Sequence, residues 1–343
     1  MTRRGFSALA AARLAAGEKR IRAAMIGTGH GHAASKVRAL LSMARYEFLG
    51  VCRPDADDPA VSSVFSEVPR LKLEDVLRDA SIELVAVECA DPDRNLRYAQ
   101  MAVDAGKFVH LDKPPGASLA GLRRLLEDAG RRGRVVQMGY QWRYHPGMEA
   151  ALEAARKGWL GRVYRFRASI DKAIGGEERR HLAKYRGGMM FSEGCHLIDR
   201  ATALLGEPRR ITGILRHHSP VQDGLADNTL VVLEYPNALA EISLAGFDPN
   251  GNQHRFVQVL GANGSATASP FAPVRLTVDL KEAAGPYRVG VQTLEPPGPP
   301  GLPYTRDFAE MAAIIRDGAS PRYTAQHDLM THKVLLEACG MLS

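Results

Sequence analysis

The feature that most constrains this chain is a short apolar run, Arg20 to Ile26, which meets the turn Gly27-Thr28-Gly29-His30-Gly31-His32 and then a helical pattern from Ala33 to Ala44. A strand that ends in glycines and turns straight into a helix is the opening unit of a nucleotide-binding sheet. The glycines permit the tight turn, and they let backbone N–H groups approach a diphosphate at the positive end of the helix. The full pattern G-x-G-x-x-G needs glycine at position 32, where this chain has His32, and Gly31 comes one residue early. The match is partial. Its weight comes from the strand before it and the helix after it.

The alternation then repeats. Tyr46 to Cys52 reads as strand, Leu73 to Arg78 as helix, Ile82 to Glu88 as strand, Asn95 to Ala105 as a helix closed by Gly106, and Phe108 to Asp112 as strand. Ser118 is placed to cap a helix running to Ala129, and Val135 to Tyr140 reads as strand again. Strands alternating with helices predict an α/β fold with a parallel sheet covered on both faces. Such sheets take ligands at the carboxyl ends of their strands, and an acid after the second strand commonly meets the adenosine ribose. Here that place reads Cys52-Arg53-Pro54-Asp55. Arg53 suits the 2′-phosphate of NADP, while Asp55, Asp57 and Asp58 oppose it with negative charge. The balance is taken for NADP over NAD.

With 343 residues, 24% charged and 45% hydrophobic, the chain has material for two cores. A nucleotide-binding domain is expected over 19–140 and a substrate-binding and oligomerisation domain over 141–343. No apolar stretch approaches the roughly 20 residues of a membrane span. The net charge of +7 raises nucleic acid as a partner, but its arginine pairs (Arg123–Arg124, Arg131–Arg132, Arg179–Arg180) scatter over helix ends and loops without an aromatic-interleaved ribbon. No nucleic acid is expected, and the charge is assigned to a solvated surface and an anionic small molecule. Cys52, Cys89, Cys195 and Cys339 make no C-x-x-C, so neither a metal site nor a disulfide framework is expected. The start, Thr2-Arg3-Arg4-Gly5-Phe6, is a twin-arginine export pattern, followed by an alanine-rich run to Ala16 that Arg13 interrupts. Residues 1–18 are set aside as a signal for periplasmic export, ahead of the alternative, a helical tail on a cytoplasmic protein.

Three later motifs carry a resemblance. Residues 108–115 read Phe-Val-His-Leu-Asp-Lys-Pro-Pro; residues 139–146 read Gly-Tyr-Gln-Trp-Arg-Tyr-His-Pro; residues 187–199 read Gly-Gly-Met-Met-Phe-Ser-Glu-Gly-Cys-His-Leu-Ile-Asp. In this order they resemble the E-K-P signature, the exit from the Rossmann sheet and the G-G-x-x-x-D-x-G-x-H-x-x-D pattern of the glucose–fructose oxidoreductase / inositol dehydrogenase (Gfo/Idh/MocA) family. Two positions depart from it. Asp112 stands for glutamate, and Ser192 stands for the family's acid. Glu193 is one residue on, rotated by roughly 100° on an α-helix, and so is not a straightforward substitute.

The resemblance implies a second domain with a large open, mostly antiparallel sheet, supplied by Val163–Ile170, Ile211–His217, Thr229–Tyr235, Leu239–Leu244, Val257–Leu260 and Leu276–Leu280. The outer face of that sheet would build a homodimer or homotetramer. A proline-rich connector, residues 296–301, and helices near Arg306–Arg316 and Leu329–Ala338 complete the chain.

It also implies hydride transfer between a nicotinamide cofactor and a hydroxyl of a sugar, sugar derivative or cyclitol. Lys113 and His196 are then the catalytic pair. Lys113 would hydrogen-bond the reacting oxygen, with its bond to Pro114 in cis, and His196 would exchange the proton near its ordinary pKa of about 6.5. Cofactor contacts are expected from the turn (Gly27, Thr28, Gly29, His30, Gly31, His32), from Arg53, Asp91 and Asn95, and from Asp112, Lys113, Pro114, Gln141 and Arg143. Substrate contacts are expected from Lys113, Arg143, Tyr185, Ser192 and His196. With Ser192 in the acid's place, either the enzyme is slower or differently tuned, or a compensating acid comes from nearby, Glu193 or Asp199. Two other functions stay open: a glycoside hydrolase or lyase that oxidises its substrate transiently with NAD, and a dinucleotide-binding protein without catalysis.

Overall fold

The computed structural model describes residues 19–296 and 302–342. Its first sheet joins β1 (Ile21–Ile26), β2 (Tyr46–Cys52), β3 (Arg70–Leu71), β4 (Leu84–Val87), β5 (Phe108–Leu111) and β6 (Val136–Met138). The order is β3-β2-β1-β4-β5-β6, parallel throughout. All four residues of β4 are fully buried, as strands must be when helices cover both faces. Between the strands run α1 (Ala33–Ser42), α2 (Leu73–Arg78), α3 (Pro92–Asp104) and α4 (Leu119–Arg131). On α1, Ala33, Val37 and Leu40 recur at helical spacing and are buried. The strand order reverses between β1 and β4, and a doubly wound sheet takes its ligand at that switch.

The second sheet joins β7 (Val163–Ser169), β8 (Arg210–Arg216), β9 (Asn228–Glu234), β10 (Leu239–Ala245), β11 (Phe256–Gly261), β12 (Gly264–Ala268), β13 (Leu276–Leu280) and β14 (Gly290–Leu294). Its order is β14-β13-β12-β11-β7-β10-β9-β8, antiparallel at every step except β7–β10. Along β9 and β11 buried residues alternate with more exposed ones, so one face meets a core. The remaining helices are α5 (Pro146–Arg156), α6 (Gly176–Leu182), α7 (Cys195–Leu205), α8 (Thr305–Asp317) and α9 (Ala325–Ala338). This is the expected α/β fold, a Rossmann sheet plus a mostly antiparallel one.

The chain divides into two compact units that do not follow a single cut in the sequence. One takes the described residues up to Asp112, Arg123–Gly139 and the segment from 302 to Arg322; the other takes Lys113–Leu122, Tyr140 to residue 296, and Tyr323 onward. The departure from one boundary after residue 140 is clearest at α8. Phe308 and Met311 of this helix share a buried cluster with Ile21, Tyr46 and Leu84, and the Tyr46 hydroxyl donates to the Phe308 carbonyl at 2.6 Å. An amphipathic helix buries its apolar stripe wherever a core offers room, at any separation in sequence. Among the described residues no helix is long and apolar enough to cross a membrane. The twin-arginine motif, and residues 297–301 of the proline-rich connector, lie outside the described residues.

Candidate functional site

Gly27 leaves β1 with a φ of 84°, and a Cβ there would lie 2.5 Å from the Cys89 nitrogen. Only glycine fits. The next two amides of the turn are held by a side chain that the sequence marked merely as local charge. Thr28 N and Gly29 N donate to Asp58 Oδ2 at 2.8 and 3.1 Å, and Ala90 N donates to Asp58 Oδ1 at 2.9 Å. A Cβ on Gly29 would meet Asp58 Oδ1 at 2.4 Å, so the openness of the second glycine is used by this carboxylate. Gly31 is exposed, with nothing within 4 Å of a Cβ position. The strand, the turn, the helix start and Gly31 therefore fit a dinucleotide, while the Thr28 and Gly29 amides are committed as long as Asp58 stays.

His30 and His32 turn inward, their Nδ1 atoms 2.8 and 3.2 Å from Asp112 Oδ2. The fully buried Lys36 of α1 places Nζ 2.7 Å from the same oxygen and 2.5 Å from Glu88 Oε1. Burial opposes the Lys36 charge, but the two carboxylates outweigh it and raise the pKa. Burial would also raise Asp112; His30, Lys36 and His32 reverse this and hold it well below the usual carboxylate range. Burial and the charge of Asp112 push Glu88 well above that range. Asp112 is thus the ionised acid, and Glu88 the one that keeps a proton more tightly. His30, His32 and Asp112 bring metal-ligating atoms within 4.8 Å of one another, but the Lys36 ammonium already answers the Asp112 charge.

The peptide after Asp112, Lys113–Pro114, is cis, as the resemblance implies. Lys113 is 2% exposed; its Nζ donates to the Ser192 carbonyl at 2.8 Å and lies 3.9 Å from Glu193 Oε1. The segment Met190–Gly194 is a single turn of π-helix leading into α7. A π turn holds an extra residue, so the faces expected from α-helical spacing do not apply there. The expectation that Glu193 falls out of register is corrected accordingly. Ser192 meets Lys113 through its backbone, and Glu193 brings the carboxylate.

Desolvation would raise Glu193; the charges of Lys113, Lys172 and His196 override it and hold the carboxyl well below its ordinary range. Lys172 Nζ is 3.1 Å from Glu193 Oε1 and 2.5 Å from Glu178 Oε1. No motif flagged Lys172, which lies outside the family pattern. His196, in the first turn of α7 and 1% exposed, stacks on Trp142 at 5.3 Å between ring centroids and meets the edge of Tyr140 at 5.8 Å.

Other expected contacts are committed elsewhere. Arg143, expected at cofactor and substrate, is 2% exposed, donates from NH2 to Asp199 Oδ1 at 2.7 Å and pairs with Asp328. Asp199 also binds Arg200, and His327 Nε2 at 3.0 Å. Burial would raise the Asp199 pKa, but Arg143 and Arg200 hold it well below the usual range, so its charge is spent in this network. Asn95 staples the loop after β4, accepting from Cys89 N at 2.6 Å and donating to Cys89 O at 3.0 Å. Asp91 caps α3 through Asp93 N at 2.8 Å. Arg53 NH2 donates to the Asp58 carbonyl at 2.6 Å. Gln141 opens a short 3₁₀ turn, Gln141–Tyr144, and the Tyr185 hydroxyl lies 3.2 Å from His181 Nε2.

Comparison with known proteins agrees with this architecture. Residues 21–140 match the model of the oxidoreductase family with NAD-binding Rossmann fold, and residues 148–267 match the GFO/IDH/MocA C-terminal domain. A trans-1,2-dihydrobenzene-1,2-diol dehydrogenase of Bos taurus is 24% identical over 168 residues, 48% of this chain and 49% of that protein, so the match spans about half of this relative. The uncharacterized oxidoreductase YhhX of Escherichia coli is 24% identical over 282 residues, 77% of this chain and 79% of its own length. An oxidoreductase from Agrobacterium radiobacter, solved with NAD+, L-tartaric acid and magnesium, has a TM-score of 0.78 at 15% identity and covers 94% of this chain and 97% of that one. At that identity the likeness is one of fold. With both family models matched in order across most of its length, the chain belongs to the Gfo/Idh/MocA oxidoreductase family and carries its NAD-binding Rossmann domain.

Proposed function

We propose that the chain is an NAD(P)-dependent dehydrogenase that oxidises a secondary alcohol of a polyhydroxylated small molecule, a sugar, sugar derivative or cyclitol. The observation that carries this reading is the buried Lys113 ammonium beside Glu193, an acid that also feels the His196 imidazole. NAD(P), when bound, supplies the hydride acceptor. Lys113 Nζ donates to the alcohol oxygen and meets the negative charge that grows there. The His196 imidazole takes the proton from the same oxygen. Glu193 stabilises the protonated imidazole, the part that Ser192 cannot play, and Lys172 keeps Glu193 ionised.

The bovine relative's name specifies a vicinal diol, a grouping that sugars and cyclitols share, and this supports a diol-bearing substrate. The NADP preference rests on Arg53, whose NH2 holds the Asp58 carbonyl, so pairing with a 2′-phosphate needs that bond to open. A homo-oligomer is proposed through the second sheet, where Ile214, Leu230 and Val291 stand exposed on β8, β9 and β14. The test is reduction of NAD+ or NADP+ by the full chain with a panel of sugars, cyclitols and dihydrodiols. His196→Ala should lower kcat, and its residual rate should rise with pH as hydroxide takes over the base role. A variant with wild-type kcat and pH profile contradicts the assignment.

A further inference from the structure

We propose that Asp58 is an internal competitor for the anion cradle of the glycine turn, and that a dinucleotide binds only as this carboxylate leaves the Thr28, Gly29 and Ala90 amides. The inference rests on the cofactor reading above and concerns what that cofactor must displace.

The geometry is that of an anion site already filled. One carboxylate accepts three backbone N–H groups at 2.8, 3.1 and 2.9 Å, two of them from the turn that in this fold approaches a diphosphate. Asp58 is 2% exposed. It is also the single buried residue in an otherwise exposed run from Ala56 to Val61, so a surface loop inserts one charged side chain into the turn. Pro59 completes the plug. Its Cδ would lie 2.8 Å from a Cβ on Gly29, and its carbonyl accepts from the Thr28 hydroxyl at 3.0 Å.

Carboxylate and phosphate compete for the same donors. Both accept charge-assisted bonds from N–H groups, and two anions cannot share one set at hydrogen-bond distance without strong repulsion. The loop is fastened by Asp58 N to Asp55 O at 3.2 Å, by Arg53 NH2 to the Asp58 carbonyl at 2.6 Å, by the Tyr98 hydroxyl to Asp55 Oδ2 at 2.8 Å, and by the pairs Arg94–Asp57 and Arg97–Asp55. Lifting it breaks some of these bonds, so the lifted state is the minor one. Apparent affinity for a dinucleotide is its intrinsic affinity scaled by the fraction of chains with the loop lifted. If that fraction is about 1–10%, removing the carboxylate strengthens binding by about ten- to a hundredfold.

The experiment titrates the full chain, freed of copurified nucleotide, with NAD+ and with NADP+, in wild type, Asp58→Asn and Asp58→Ala, with melting temperatures recorded in parallel. The expected result is a Kd at least about tenfold lower in both variants. Equal or weaker binding by folded variants overturns the competitor role and leaves the cofactor reading standing. No binding of either dinucleotide to wild type or variants overturns both. Should the variants melt too low to titrate, hydrogen exchange on the wild type decides. With dinucleotide added, the Thr28 and Gly29 amides should stay protected while the Asp58 amide exchanges faster. Retained protection at Asp58 overturns the proposal.

Discussion

Each unit buries a lysine against carboxylates, and the two ammonium groups are held at different distances. In the first, a single ammonium, Lys36, stands between Glu88 and Asp112, with His30 and His32 drawn against the acid. In the second, Glu193 stands between Lys113 and Lys172, with His196 beside it and Glu178 on Lys172. Beneath α1 the Lys36 ammonium is taken up by two carboxylates at 2.5 and 2.7 Å, and the three together tie that helix to the ends of β4 and β5. Lys113 stands farther from its carboxylate, 3.9 Å from Glu193. Glu193 keeps 17% of its side chain exposed, whereas Glu88 and Asp112 keep none. On the proposed reading, the contrast is between a charge set that holds a fold and one that serves the chemistry.

The strongest way to break this contrast is Lys36→Met. It leaves two buried acids without their cation, and such losses cost about 3–5 kcal/mol. Urea unfolding should show that drop; a loss under about 1 kcal/mol would remove the structural role assigned to the first cluster.

Whereas His30 and His32 lie against an acid, Asp112, His332 is buried on α9. Burial pushes its pKa down to about 4. The folded value lies below the unfolded one of about 6.5, so the unfolded chain binds the proton first. Stability is therefore full above pH about 6.5 and falls by up to about 3 kcal/mol as pH drops towards about 4. His332→Leu should flatten that part of the stability profile, as read by denaturant midpoints at several pH values. An unchanged slope would mean that another group titrates there.

Glu193→Gln has the smallest expected effect and the most specific one. Loss of the carboxylate disfavours protonated His196, so kcat should fall about tenfold and the acid limb of kcat/KM should move to lower pH. Adding Ser192→Asp to this variant should not restore the profile, because position 192 meets Lys113 through its carbonyl. Full rescue would show that the π turn does not set which residue faces the lysine.

The sequence made local events legible. The run from β1 through the glycine turn to α1 could be read because strand, turn and helix are contiguous, and α4 carries its own cap in Ser118, whose hydroxyl accepts from Gly121 N at 3.0 Å. The short strands β12 and β14 escaped: Gly264–Ala268 is a run of small residues that becomes strand only by pairing between β11 and β13. Asp58 escaped because its bond to Thr28 spans thirty positions in the chain. The facing of Glu193 escaped because nothing in residues 190–194 announces a π turn. Arg143 and Asp199 looked like site residues by motif, and partners distant in sequence, Asp328 and His327, draw both into a buried network.

The central assignment is that Lys113 acts on the reacting oxygen and not on cofactor binding. Measuring kcat and dinucleotide Kd side by side for Lys113→Ala tests it most directly. The expected result is a loss of about a hundred- to a thousandfold in kcat with Kd nearly unchanged. Wild-type kcat, or a loss that appears only in Kd, contradicts it.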